Sequence, residues 1–299
     1  MQLGLSIGPV VQEFGYETAF QMVKQSGFDA VDIDLECYGK KDNSDIYGQS
    51  EDAFASYFDN VRRLAEQYEL VISQTHGRCW TYTPDPEQCE YALWVSQKDL
   101  LATKIMGAPA CVIHGPTCSS WPDNYQDPEF MHRIYTKFFD DLTPTAEKLQ
   151  TKFSLETFGR AYINNERLVD FFADANVLKR QYEMIQTSYK TLCMDTGHTN
   201  EAVYFGTPSV EESIRILGKD ISLLHLHDNN TLGDQHLAPL YGGYGAVNWA
   251  NVFDALEEIG YAGVYNFELN WRYFHRAIPE AIVFLGKYLR CFIDNKGRY

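Results

Sequence analysis

The chain runs to 299 residues, 45% of them hydrophobic and 22% charged, the balance of a soluble globular protein. A net charge of −16 sets the mean field against nucleic-acid phosphate and anionic membrane, so neither is expected as a partner; no apolar run has the length of a membrane span, and the start, MQLGLSIGPV, lacks the basic-then-apolar pattern of a secretory leader. The seven cysteines are an odd number without a CxxC pair, so they read as thiols in a reducing cytoplasm rather than as a disulfide framework.

Eight short apolar runs follow one another: LGLSIG (3–8), AVDIDL (30–35), LVISQT (70–75), ACVIH (110–114), FSLE (153–156), TLCMD (191–195), ISLLHL (221–226) and VYNFEL (264–269). Most do not alternate polar and apolar residues, which is the pattern of parallel strands covered on both faces. Helical spacing fills the gaps. Between the second and third runs, Ala53, Phe54, Tyr57, Phe58, Val61, Leu64 and Ala65 recur at intervals of three and four. Gly27, Gly107 and Gly260 stand just before the next run, where glycine closes helices. Phe28-Asp29-Ala30-Val31 and Tyr261-Ala262-Gly263-Val264 repeat a similar helix-to-strand entry. No linker, low-complexity tract or charge block marks a boundary, so residues 1–299 are expected to form a single domain, a (β/α)8 TIM barrel. An open doubly wound sheet is the other α/β solution, but no GxGxxG follows the first strand.

Six of the runs end in residues that bind divalent metals: His76, His114, Glu156, Asp195 with His198, His225, and Glu268. A barrel gathers equivalent strand ends around one mouth. Glu156, Asp195, His225 and Glu268 come from the fifth to eighth strands, an oxygen-rich set suited to one divalent metal: Mn2+, Mg2+, Co2+ or Zn2+. His76, His114, His198 (in DTGH), Asp234 and His236 (in GDQH) are candidates for substrate binding or a second metal. His227 shares a sheet face with His225 but lies beyond the strand end, where it would bond the loop; His132 and His275 carry no local signal and are expected at the surface. Arg160 and Arg272 would hold a substrate carboxylate or phosphate, or form rim salt bridges. Trp80 and Trp271 would stack on a sugar face or close the barrel top.

The segments HLHDN (225–229), DQHLAPLYGGYGAVNW (234–249), FELN (267–270) and DTGH (195–198) resemble the xylose-isomerase-like TIM-barrel superfamily, also called AP-endonuclease family 2 or sugar phosphate isomerase/epimerase. The resemblance implies Glu156, Asp195, His225 and Glu268 as ligands of one divalent metal, with the two glutamates also performing proton transfer in sugar isomerases and epimerases. The same superfamily holds endonuclease IV-type repair enzymes with three zinc ions, and the nine candidate ligands here could supply that full set. The surroundings depart from those enzymes. TFGRAYINN stands where they have an Asn-Thr-Ala-Gly turn, DTGHTNEA where they have Asp-Thr-Cys-His, and HLHDNN where they have His-Leu-Asn-Asp-Ser.

The expected function is therefore a metal-dependent isomerase or epimerase acting on a small-molecule carbohydrate or polyol, by proton transfer beside a carbonyl. Glu268 would be the base, Glu156 the conjugate acid, and His198 a hydrogen-bonding partner of a substrate oxygen. Alternatives are a lyase or dehydratase on a keto-sugar, which also begins with proton abstraction, and a multi-zinc phosphodiesterase. By analogy with the superfamily, a homo-oligomer is expected.

Overall fold

Unbroken apolar runs with both faces covered become parallel strands, and their ends define where chemistry can gather. The computed structural model describes residues 1–117, 127–163, 166–239, 245–274 and 277–298. Its strands are β1 (Gln2–Ser6), β2 (Ala30–Asp34), β3 (Val71–Thr81), β4 (Ala110–Thr117), β5 (Lys152–Glu156), β6 (Arg160–Ile163), β7 (Glu166–Val169), β8 (Lys190–Asp195), β9 (Ile221–His225) and β10 (Val264–Phe267). Eight of them pair in the order β10-β1-β2-β3-β4-β5-β8-β9, each neighbour parallel. A bridge between Leu226 and Phe267 closes the ring, with the Leu226 N–H donating to Asn266 O (2.8 Å) and the Glu268 N–H to Leu226 O (3.2 Å). The eight-stranded barrel expected from the sequence is the observed fold.

The helices that cover it are α1 (Gly8–Gln25), α2 (Glu51–Gln67), α3 (Pro86–Met106), α4 (Pro128–Leu149), α5 (Ala175–Met184), α6 (Thr196–Ala202), α7 (Val210–Leu217), α8 (Trp249–Glu258) and α9 (Ile278–Asp294). Their starts follow from local chemistry. Asp85 and Asp127, each followed by proline in the first turn, accept backbone N–H bonds that would otherwise be unpaired, and Ser209 with Glu212 forms a reciprocal capping box on α7. The stripe Phe54, Phe58, Val61 and Ala65 of α2 is buried against the barrel, as its spacing predicts. Among the described residues no helix is long and apolar enough to cross a membrane.

Three features depart from the expectations. Strands β3 and β4 run on to Thr81 and Thr117, so His76 and His114 lie within them rather than at their ends. An antiparallel hairpin, β6 with β7, occupies the segment after β5, because that connection leaves the barrel wall and pairs with itself. His132 is not at the surface: it is 6% exposed on α4, with Nδ1 2.8 Å from Gln181 Oε1, because its side of the helix faces α5 and not solvent. His275 lies outside the described residues.

Candidate metal and active site

Strands β5, β8 and β9 end at Glu156, Asp195 and His225, and Glu268 directly follows β10. One side-chain donor atom from each of these four lies within 4.8 Å of the other three. His225 Nδ1 is at the centre, 2.8 Å from Glu156 Oε1, 3.2 Å from Glu268 Oε2 and 3.9 Å from Asp195 Oδ2. Glu156, Asp195 and His225 are buried, whereas the Glu268 side chain is 24% exposed toward the mouth.

A second tier surrounds them. Glu156 Oε2 faces His114 Nε2 at 2.9 Å and His76 Nε2 at 3.8 Å, and the two imidazoles approach each other at 3.3 Å. His198 Nδ1 sits 3.6 Å from Glu156 and 3.7 Å from Asp195, while its Nε2 reaches Asp234 at 3.5 Å. Asp234 in turn contacts His236, whose Nδ1 is 3.1 Å from Glu268 O. His76, His114, His198, Asp234 and His236 are thus all brought to the same mouth.

Two participants were not assigned from sequence. His227 is fully buried, places Nε2 3.0 Å from the Asp195 carboxylate, and stacks flat on His236 with ring centroids 3.7 Å apart. It reaches Asp195 because residue 197 is glycine: a Cβ there would overlap the His227 ring. Asp32, on β2, stands 3.6 Å behind His225 Nε2 and accepts bonds at Oδ2 from Ser6, Gln74 and Asn266. A carboxylate behind the far nitrogen of a ligand imidazole is a recurrent orienting device. The alternation HLH was the one sequence signal for His227; for Asp32 it was the polar residue inside an apolar strand.

The remaining candidates divide. Trp271 is buried, donates Nε1–H to Ser6 O (3.2 Å), and lines a cavity of about 410 Å³ with Glu268, His76 and Arg272. Trp80 lies elsewhere, in a groove of about 590 Å³ with Tyr82, Tyr91 and Phe130, its Nε1–H donating to Ser96. Arg160 is held in a buried ion pair with Glu201 (2.9 Å) and donates to Thr231 O, so its guanidinium ties the hairpin to α6 and the β9 loop.

The charge balance is strained in one direction. Burial alone would raise the Glu156 carboxyl, yet the His225 and His114 imidazoles hold it well below the usual carboxylate range. Burial likewise acts to lower His225, but Cys193, Glu156 and Glu268 push it well above an ordinary imidazole; His236, opposed by Glu268 and Asp234, is pushed up to about 9. The carboxylates therefore demand positive charge, as protons on imidazole or as a cation. Glu156 Oε2 is buried without a well-formed hydrogen bond, and the oxygen-rich donor set suits a hard or borderline divalent ion, so the residues fit a metal.

A (β/α)8 barrel with carboxylates and imidazoles converging at the C-terminal strand ends defines a class of mouth-centred barrel proteins. Within that class, this chain belongs to the family of xylose isomerase-like TIM barrels, whose model matches residues 14–288. It is 25% identical over 258 residues to the D-psicose 3-epimerase of Enterocloster bolteae, spanning 83% of this chain and 74% of that protein. A putative xylose isomerase from Rhodospirillum rubrum shares the fold with a TM-score of 0.78 at 15% identity, over 97% of this chain and 99% of that one. The IolI protein with a bound zinc atom does so with a TM-score of 0.75 at 15% identity, over 100% and 99%.

Proposed function

We propose that the chain is a divalent-metal-dependent sugar epimerase or isomerase, transferring a proton at the carbon beside a carbonyl. The observation that carries this reading is the meeting of Glu156 and Glu268 on His225 Nδ1, at 2.8 and 3.2 Å. Two carboxyl groups so placed can remove a proton from one face of a substrate carbon and return it to the other. Glu268, partly open to the mouth, suits the base; Glu156, held anionic by its imidazoles, would serve as conjugate acid by passing on a proton from His114 Nε2 at 2.9 Å. His198 would hold a substrate oxygen through Nε2, its ring oriented by the Nδ1 contact with Thr157 O at 3.1 Å. Glu156, Asp195, His225 and Glu268 would bind the metal, which when present would stabilise negative charge developing on substrate oxygens. The likeness to a D-psicose 3-epimerase supports a ketose-type carbohydrate as substrate. The six cysteines among the described residues that are free thiols are compatible with a cytoplasmic setting.

The test is exchange of solvent deuterium into D-psicose or D-fructose by Mn2+-, Co2+-, Mg2+- or Zn2+-loaded protein. Glu268→Gln is expected to slow exchange by about 10²–10⁴-fold; exchange at the wild-type rate would remove Glu268 as base. A second reading draws on two further donor groups, His76–His114–Glu156 and His198–His227–Asp234–His236, each compact enough to hold an ion of its own. Metal counting separates the two: about one tightly bound ion per chain supports the epimerase, whereas three zinc ions with phosphodiester cleavage would replace it.

A further inference from the structure

The cavity beside Glu268 has a wall unlike the rest of the mouth. Strand β2 ends Asp32-Ile33-Asp34, whose period of two sends both acids to one face, and the turn that follows, closed by the Tyr38 N–H on Leu35 O, brings Glu36 to the same lining. Ile33, on the other face, and Leu35, in the turn, are each 1% exposed. Asp32, Asp34 and Glu36 all line the cavity of about 410 Å³, which Glu268 completes on the opposite side. The acids climb from the buried floor to the open rim.

Imidazoles meet them at the floor, where His225 Nε2 stands 3.6 Å from Asp32 and His76 acts on Asp34, whose Oδ1 also accepts the Glu36 backbone N–H at 2.7 Å. Among the described residues no lysine or arginine comes within ion-pair distance of the three carboxylates; Arg78, the near cation, donates instead to the Glu36 and Tyr38 carbonyls. The bonds to Asp32 Oδ2 come from the neutral Ser6, Gln74 and Asn266, and Asp32 Oδ1 is buried without a hydrogen-bond partner. Of the basic groups on this lining, Arg272 is exposed at the β10 side, His236 is committed to Asp234, and His76 is shared between Glu156 at 3.8 Å and the Asp34 carboxylate.

We infer that this wall is a subsite for a protonated amine, so that the sugar or polyol taken at the mouth carries an ammonium group seated between Asp34 and Glu36. An ammonium would donate to both side chains and supply the missing positive charge, while a phosphate or carboxylate end would meet like charge. The inference rests on the carbohydrate reading for its substrate skeleton, but the amine preference is measurable by binding without turnover.

The experiment uses full-length metal-loaded protein and a matched series: D-fructose, its 1-amino-1-deoxy and 6-amino-6-deoxy analogues, and D-fructose 6-phosphate. Calorimetric titration is expected to show one amine binding at least about tenfold tighter than D-fructose, and the phosphate weaker than either. In Glu36→Gln, an exposed substitution with little bearing on folding, and in Asp34→Asn, the ratio of amine to D-fructose affinity should fall toward unity. The preference should also shrink with added salt. Equal affinity for amine and hydroxyl, tighter binding of the phosphate, or a preference that survives both substitutions would each overturn the subsite. Amine preference without any deuterium exchange would leave the subsite standing and reject only the proton-transfer function.

Discussion

From β5 to β10 the mouth is tight. Strands β5, β8 and β9 stop at the donor residue itself, and Glu268 directly follows β10. Further side chains back the cluster: His227 bonds Asp195, Asp32 stands 3.6 Å behind His225, and Asp234 lies 3.5 Å from His198. From β1 to β4 the mouth is open, with β3 and β4 running past their histidines and a cavity lying between β2 and the β10 loop. Short strands with backed-up ends can hold a charged cluster in one geometry, whereas long strands and loops leave room for a ligand. The difference suggests that the tight half carries chemistry and the open half carries selection.

The strongest way to break that division is to remove the positive charge that the tight half would hold. Chelation of the metal-loaded protein is expected to abolish turnover and lower Tm by on the order of 5–10 °C, read by calorimetry before and after dialysis against EDTA. An unchanged Tm would mean that the carboxylates are satisfied by protons alone. A subtler perturbation is Gly197→Ala, which leaves every donor in place but pushes His227 off Asp195. Expected are about 1–3 kcal/mol of destabilisation and a metal affinity about 10–100-fold weaker. Stability loss without loss of affinity would show that His227 does not orient Asp195.

The smallest effect belongs beneath the open half, where Asp99 of α3 is buried and accepts a bond from Tyr47 Oη at 2.5 Å. Burial, offset in part by that bond, pushes its carboxyl up to about 7 from 3.8. The protonated acid is thus the form favoured by folding. Its contribution is complete below the unfolded value and is lost as pH rises toward 7. Asp99→Asn should therefore cost most below about pH 4, and the difference from wild type should narrow steadily as pH rises toward 7 and level off by about pH 8, measured by urea unfolding. A pH-independent difference would contradict the raised value.

Much of the barrel could be read from the chain because buried parallel strands and capped helices leave strong local patterns. The apolar runs, the glycines before them and the ligand-type residues that close them all recur at the scale of one βα unit. What escaped was long-range. The β6–β7 hairpin has no apolar run of its own, and the buried side of His132 depends on where α5 packs. Trp80 follows His76 closely, yet β3 carries it past the mouth into another groove, so nearness in sequence misplaced it. Asp32-Ile33-Asp34 did alternate as a one-faced acidic strand should, but the apolar residues around the two acids dominated its reading.

Closure by the last strand has a consequence for how the protein comes into being. Three of the four clustered donors lie on strands made early enough to meet one another, but Glu268 stands beyond β10, which must pair with β1 and bridge to β9 before the ring exists. During synthesis an N-terminal portion would hold Glu156, Asp195 and His225 without their partner and without a closed wall. A chain stalled or truncated ahead of β10 would be left with an open sheet edge and an incomplete donor set, so integrity of the final strand doubles as a checkpoint on whether the centre can function at all.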